Sequence, residues 1–262
     1  MRDKINLLIF LASLLLCCSF LLPESQKKST LFLIGDSTVR NGTYGRGDGG
    51  LWGWGSFIHL FLDTNRLQVQ NRAMGGTSSR SYFEIGLWDK VLEDIKPGDF
   101  VLMQFGHNDN GKYSIKNNSE DTLHYTDPKT GREVVVHSYG WNIRKYISET
   151  KAKGAIPVVL SLVPRNIWKD GKVNRSTNDF TLWARQAANQ ENALFVDLNT
   201  IIADRYDRDT EAKVKSTYFG TDHVHTIEAG AKVNAACVIK GLLQLKGKPF
   251  KKYINKKIWK EY

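Results

Sequence analysis

Five runs rich in apolar residues punctuate the chain: Leu31 to Ile34, Leu67 to Ala73, Phe100 to Phe105, Ile156 to Val163 and Leu194 to Leu198. Each is short and bounded by turn-forming or charged residues, which is the signature of strands buried on both faces. Between them lie longer stretches with helical spacing of apolar positions, over Trp54 to Leu62, Ser81 to Ile95, Tyr139 to Lys153, Thr177 to Glu191 and Ile227 to Leu245. Strands alternating with helices predict an α/β protein with a parallel sheet covered on both sides. In such sheets ligands bind beyond the carboxyl ends of the strands. One long polar insertion, residues 110 to 137, interrupts the alternation; Asp127-Pro-Lys-Thr-Gly131 reads there as a hairpin turn between Leu123 to Thr126 and Glu133 to Val136.

Composition changes this picture only at the two ends. The chain has 262 residues, 41% of them hydrophobic, enough for one substantial core, and no linker or repeat marks a boundary between residues 30 and 245. Arg2 and Lys4 precede an apolar stretch, Leu7 to Leu22, broken only by Ser13 and Ser19. That is short for a membrane span and fits an export signal over residues 1–22, which implies a periplasmic or extracellular protein without a stable span in its mature form. A lipid anchor on Cys17 or Cys18, or an uncleaved anchor, is the alternative. Beyond that segment Cys237 is the only cysteine, so no intramolecular disulfide is expected and the thiol is expected to pack in its helix.

The net charge is +10, but the last 17 residues, 246–262, hold seven lysines against the single acid Glu261, leaving the body only mildly basic. Nucleic acid is therefore not an expected partner. Lysines alternate there with Phe250, Tyr253, Ile254, Ile258 and Trp259, so the segment is read as a basic C-terminal tail that is solvated or docks on the body, on a membrane surface or on an acidic polymer.

Four blocks carry the chemistry: Gly35-Asp36-Ser37-Thr38, Gly75-Gly76, Gly106-His107-Asn108-Asp109 and Asp222-His223-Val224-His225. Ser37, just past the first strand, offers a nucleophile that needs a base to remove its proton. His225 offers the base. Asp222, three residues earlier, can hold the second ring nitrogen and so fix the tautomer. The amides of Ser37 and Gly76 and the side-chain amide of Asn108 offer three donors to an oxyanion; glycine at 76 lets the backbone come close, and an aspartate at 108 would repel the charge that develops. The last helix is expected to begin just after His225.

Each block alone has a plainer meaning. Gly-Asp-Ser at a strand end is often only a turn, and Asp-x-x-His is often a helix-capping arrangement. All four in order, each at a predicted strand end or helix start, make coincidence a poor account. The fuller strings Leu33-Ile-Gly-Asp-Ser-Thr38, Asn71-Arg-Ala-Met-Gly-Gly-Thr-Ser-Ser-Arg-Ser81, Phe105-Gly-His-Asn-Asp109 and Asp222-His-Val-His225 resemble those of the SGNH (GDSL-like) hydrolases, and among them the rhamnogalacturonan acetylesterases. The resemblance spans about residues 31 to 243. It implies a flavodoxin-like three-layer α/β/α sandwich on a five-stranded parallel sheet, and deacetylation of a pectin backbone without a cofactor. By position it makes Ser37, Asp222 and His225 the triad, and Ser37, Gly76 and Asn108 the oxyanion hole. Thr38, where many lipase-like relatives carry leucine, points to the carbohydrate branch. The lysine-rich tail is outside the pattern.

For substrate contacts the candidates are His107, Tyr113, Arg165, Asn166, Trp168 and His223, which could line a cleft for sugar rings and carboxylates, although aromatic residues more often simply pack. No metal is expected, since no tight ligand spacing joins His107, His223 and Asp222. Asn41, Asn117 and Asn174 begin glycosylation sequons. The expected partner is an acetylated polysaccharide or oligosaccharide, the expected state a monomer. A general carboxylesterase or lipase, or a deacetylase of another polysaccharide such as xylan, would use the same site. A binding protein without catalysis would lack a triad member.

Overall fold

The computed structural model describes residues 28–40 and 49–259. The apolar N-terminal stretch, the Asn41 sequon and the last three tail residues lie outside the described residues. The predicted strands form one sheet: β1 (Ser29–Gly35), β2 (Leu67–Asn71), β3 (Phe100–Gln104), β4 (Ile156–Leu160) and β5 (Leu194–Val196). All neighbours are parallel, in the order β5-β4-β3-β1-β2. The register pairs Leu33 with Asn71 and Gly35 with Gln104, so β1 and β3 finish level with one another and β2 ends two residues earlier.

The alternation of side chains along each strand feeds two cores. Leu31, Leu33, Phe100, Leu102, Val158 and Leu160 face one side, packed under α5 (Leu198–Asp209), α6 (Glu211–Thr217) and α7 (Glu228–Gln244). Phe32, Ile34, Val101, Met103 and Val159 face the other, covered by α1 (Ser81–Glu84), α2 (Leu87–Asp94), α3 (Tyr139–Ala152) and α4 (Phe180–Gln190). Burying one such aliphatic side chain stabilises the fold by roughly 1.5–3 kcal/mol, which explains why the central strands are rich in apolar residues. The result is the three-layer α/β/α arrangement. Among the described residues no helix is long and apolar enough to cross a membrane.

Four local readings are corrected. Residues 54 to 62 do not make one helix but two 3-10 turns, Trp54–Ser56 and Ile58–Phe61. The cause is tertiary: the amides of Trp54 and Gly55 are drawn to the carbonyls of Thr38 and Val39, so the chain is pinned to the Ser37 turn. The expected helix 81 to 95 is split at Gly86, which adopts φ +75°. Residues 198 to 217, read as no element, form α5 and α6, the first capped by the Asp197 carboxylate on the Thr200 amide. Finally, α7 begins at Glu228, because Thr226–Ile227 first pairs as a short strand with Leu51–Trp52. His225 stands outside the helix, as expected.

The insertion forms the expected hairpin, Thr122–Thr126 with Glu133–His137. At the other pole, residues 246 to 254 lie against the body. Phe250, Tyr253 and Ile254 are buried in the same cluster as β3, and Ile254 bridges to Leu62.

Candidate active site

Ser37 sits on a tight turn immediately after β1. A Cβ at Gly35 would stand 2.5 Å from the Gln104 carbonyl oxygen and 2.6 Å from Val39 Cγ2, so only glycine permits this close exit from the strand. The Asp36 carboxylate turns inward, away from Ser37, and Oδ1 accepts from the Thr38 amide (2.9 Å) and hydroxyl (2.7 Å). Thr38 Oγ1 in turn accepts from Gln104 Nε2 at 2.6 Å, and Gln104 Oε1 accepts from Trp54 Nε1 at 2.8 Å. Thr38 is thus a link in a buried polar chain that fixes the turn from below. A leucine at 38 could not supply that link.

On the open side of the turn, His225 Nε2 lies 2.9 Å from Ser37 Oγ, and His225 Nδ1 lies 2.8 Å from Asp222 Oδ2. The second carboxylate oxygen, Oδ1, accepts from the amides of Val224 and His225, both at 2.7 Å. Burial acts to raise the Asp222 pKa, but the His225 ring and those two amides outweigh it and hold the carboxyl down at about 2. The segment itself is pinned on both sides, by the Asn166 amide donating to the His223 carbonyl (2.8 Å) and by Thr226 Oγ1 donating to the Trp52 carbonyl (2.9 Å).

The second and third blocks close over the turn. The Met74 amide donates to the Gly35 carbonyl at 3.0 Å. A Cβ at Gly75 would stand 3.6 Å from Ser37 Cβ. A Cβ at Gly76 would meet open space, so glycine there answers to its φ of +79° and not to crowding. Asn108 Nδ2 donates one hydrogen to the Thr77 carbonyl (3.0 Å), which leaves its second N–H for another acceptor.

Asp109 ties the two blocks together. Its carboxylate accepts from the Ser79 amide and hydroxyl, while Ser79 Oγ also accepts from Asn142 Nδ2 (3.0 Å) and the Ser79 carbonyl from Tyr146 OH (2.6 Å). Burial raises the Asp109 pKa to about 6 against the lowering effect of those Ser79 hydrogen bonds. Gln104, Trp54, Ser79 and Asp109 were not among the candidate residues; the Asp that closes the third block was the only visible signal.

His107, next to Asn108, lines a cleft of about 630 Å³. Burial lowers its pKa against the pull of Asp36, and Arg165 and His225 act in the same direction as burial. The cleft is lined in addition by Lys116, Arg165, Asn174, Phe180 and Trp183. Of the six substrate candidates, His107 and Arg165 line it. Tyr113 stacks instead on Tyr125 in the insertion (4.0 Å, 7°), and Trp168 packs on the core with its indole N–H on Asn166 Oδ1 (2.8 Å). Asn166 meets the His223 backbone, and the His223 side chain is exposed.

The profile of the GDSL-like lipase/acylhydrolase family matches residues 33–233. The chain belongs to this family. Among curated GDSL-like proteins it is 33% identical over 220 residues to the probable rhamnogalacturonan acetylesterase YesY of Bacillus subtilis, covering 82% of this chain and 93% of that one. It is 29% identical to a rhamnogalacturonan acetylesterase of Emericella nidulans, covering 85% and 88%. Among solved structures, the YxiM protein of Bacillus subtilis superposes with a TM-score of 0.67 at 24% identity, over 82% of this chain and 56% of that one. This chain thus spans little more than half of YxiM. An acetylxylan esterase of Geobacillus stearothermophilus superposes with a TM-score of 0.53 at 17% identity, over 82% and 94%. These two share the fold of this GDSL-like chain.

Proposed function

We propose that this protein is an exported serine esterase that removes acetyl groups from acetylated rhamnogalacturonan. The observation that carries the chemistry is the unbroken line from Ser37 Oγ to His225 (2.9 Å) to Asp222 (2.8 Å). The substrate class rests on the two relatives named rhamnogalacturonan acetylesterases, each matched over more than four fifths of this chain. The adjoining cleft suits such a substrate, since its volume falls within the usual range for a ligand site of about 300–1,000 Å³.

In this reading Ser37 Oγ attacks the acetyl carbonyl carbon as His225 Nε2 takes its proton. Asp222 stabilises the imidazolium through Nδ1. The carbonyl oxygen becomes an oxyanion facing the Ser37 and Gly76 amides and the free N–H of Asn108, donors that need no rearrangement as charge appears. Collapse breaks the bond to the sugar oxygen, which leaves as an alcohol with the proton from His225. A water then attacks the acetyl-Ser37 ester by the same steps and releases acetate. No cofactor enters any of them. Residues 1–22 act as the export signal.

The test is acetate release from acetylated rhamnogalacturonan, acetylated xylan and an aryl acetate and butyrate pair, with the wild type and Ser37→Ala. Ser37-dependent release that is strongest on the pectic polymer is the expected result. Strong butyrate hydrolysis without release from any polymer would make it a general carboxylesterase. Preference for xylan would move the substrate, and activity independent of Ser37 would overturn the mechanism.

A further inference from the structure

The lysine-rich segment is unused by the chemistry above, yet it is held in place. Phe250 is fully buried with its ring 4.6 Å from that of Phe100, and Tyr253 meets Phe100 edge-on at 5.9 Å. The Asp63 amide donates to the Tyr253 carbonyl (2.7 Å), the Asn255 amide to the Phe61 carbonyl (2.9 Å), and Arg66 Nη1 to the Lys252 carbonyl (2.5 Å). With the apolar side chains turned inward, Lys246, Lys248, Lys251, Lys252, Lys256 and Lys257 all point to solvent. Among the described residues none of these six forms an ion pair with a carboxylate.

Four of these lysines border a groove of about 840 Å³ whose floor is the amino-terminal end of the sheet: Ser29 of β1, Phe100 of β3 and Ile156 of β4. Lys248, Lys251, Lys252, Lys256 and Arg66 line it; the one carboxylate in the lining, Asp63, already accepts from the Asn65 amide at 3.1 Å. The groove lies at the opposite pole from Ser37, separated along β3 alone by about 13 Å at about 3.3 Å per residue.

We infer that this groove is a second, non-catalytic binding site for an extended carboxylate-bearing polysaccharide, which tethers the enzyme to polymer while the serine end stays free. A row of cations without carboxylate partners along a concave surface, one of them (Lys252) over the Tyr253 ring, suits a linear polyanion, whose charges recur along its length. It suits a bilayer less well, because among the described residues the exposed large apolar ones, Met74, Ile85, Leu123, Val135 and Ile167, all lie outside the segment. The choice of a uronate polymer among polyanions rests on the proposed substrate; the cationic groove does not.

The test uses the Ser37→Ala protein and fully deacetylated polygalacturonate, so that binding is read without any ester chemistry. Saturable binding at low salt is expected. It should weaken about tenfold or more when Lys248, Lys251, Lys252 and Lys256 are all changed to glutamine, since each removes one salt-sensitive contact, and should persist when all four are changed to arginine. In the Ser37 background the glutamine variant should turn over an aryl acetate at the wild-type rate but release acetate more slowly from polymer. Polygalacturonate binding that is unaltered by the glutamine changes would overturn the inference. So would tighter binding to phosphatidylglycerol vesicles or to duplex DNA than to polygalacturonate at equal charge. Loss of acetyl release with binding intact would sink the proposed activity alone.

Discussion

The two ends of β3 are both buried, and they are built on opposite principles. At its start, Phe100 meets the rings of Phe250 and Tyr253, and shape alone decides the packing. At its end, Gln104 is 1% exposed and joins Trp54, Thr38 and Asp36 in a chain of hydrogen bonds. Burying polar groups in this way adds little net stability and leaves Asp36 Oδ2 without a partner among the described residues. It fixes direction instead. The amino-terminal pole therefore contributes stability, and the carboxyl-terminal pole uses part of it to fix the turn that carries Ser37.

Substitutions should separate the two poles. The largest effect is expected for Ser37→Ala, with kcat on an aryl acetate lowered on the order of 10⁵–10⁶-fold while the melting temperature barely moves. Near-normal turnover in that variant would remove the nucleophile from the scheme. At the other pole, Phe250→Ala should cost about 3–5 kcal/mol of unfolding free energy, measured by denaturant titration, with kcat of the folded fraction unchanged. A kcat that fell along with stability would erase the distinction between the poles. Asn108→Ala should lower kcat about 10²–10³-fold and leave stability nearly untouched.

The smallest expected effect is one of pH. Burial places the Asp109 pKa at about 6, above its ordinary value of 3.8. A carboxyl raised on folding contributes stability that is complete below the unfolded value, near pH 4, and is lost as pH rises through about 6. Asp222, held at about 2, works in the opposite sense: its contribution is present above about pH 4 and is lost as pH falls through about 2. Unfolding free energies at intervals from pH 4 to 7 should decline in the wild type and decline less in Asp109→Asn. Equal slopes would show that Asp109 stays ionised throughout.

The sheet was legible because its central strands are buried on both faces and so read as runs, as in Leu31 to Ile34. The triad geometry was legible in outline because Asp222 and His225 share one turn. The supports beneath it were not. Gln104 meets Thr38 across 66 residues and Asp109 meets Ser79 across 30, and nothing local in either segment announces its partner. Residues 198 to 217 escaped notice because charges crowd the apolar stripe of Leu198, Ile202 and Tyr206. The helix expected over 54 to 62 failed for a tertiary reason, the pull of the Thr38 and Val39 carbonyls. Phe250 looked like one more residue of a charged tail, since its partner Phe100 lies 150 positions away.

His225 is bonded to Asp222 across three residues and to Ser37 across 188. The contact between Asp222 and His225 is local in sequence, but Ser37 meets them only when the first strand and the last block have both taken their places in the finished fold. A chain still unfolded is thus chemically silent. The burst of aryl alcohol released on acetylation of Ser37 would count native molecules one by one, so a preparation could be titrated for its folded fraction without any spectroscopic measure of structure.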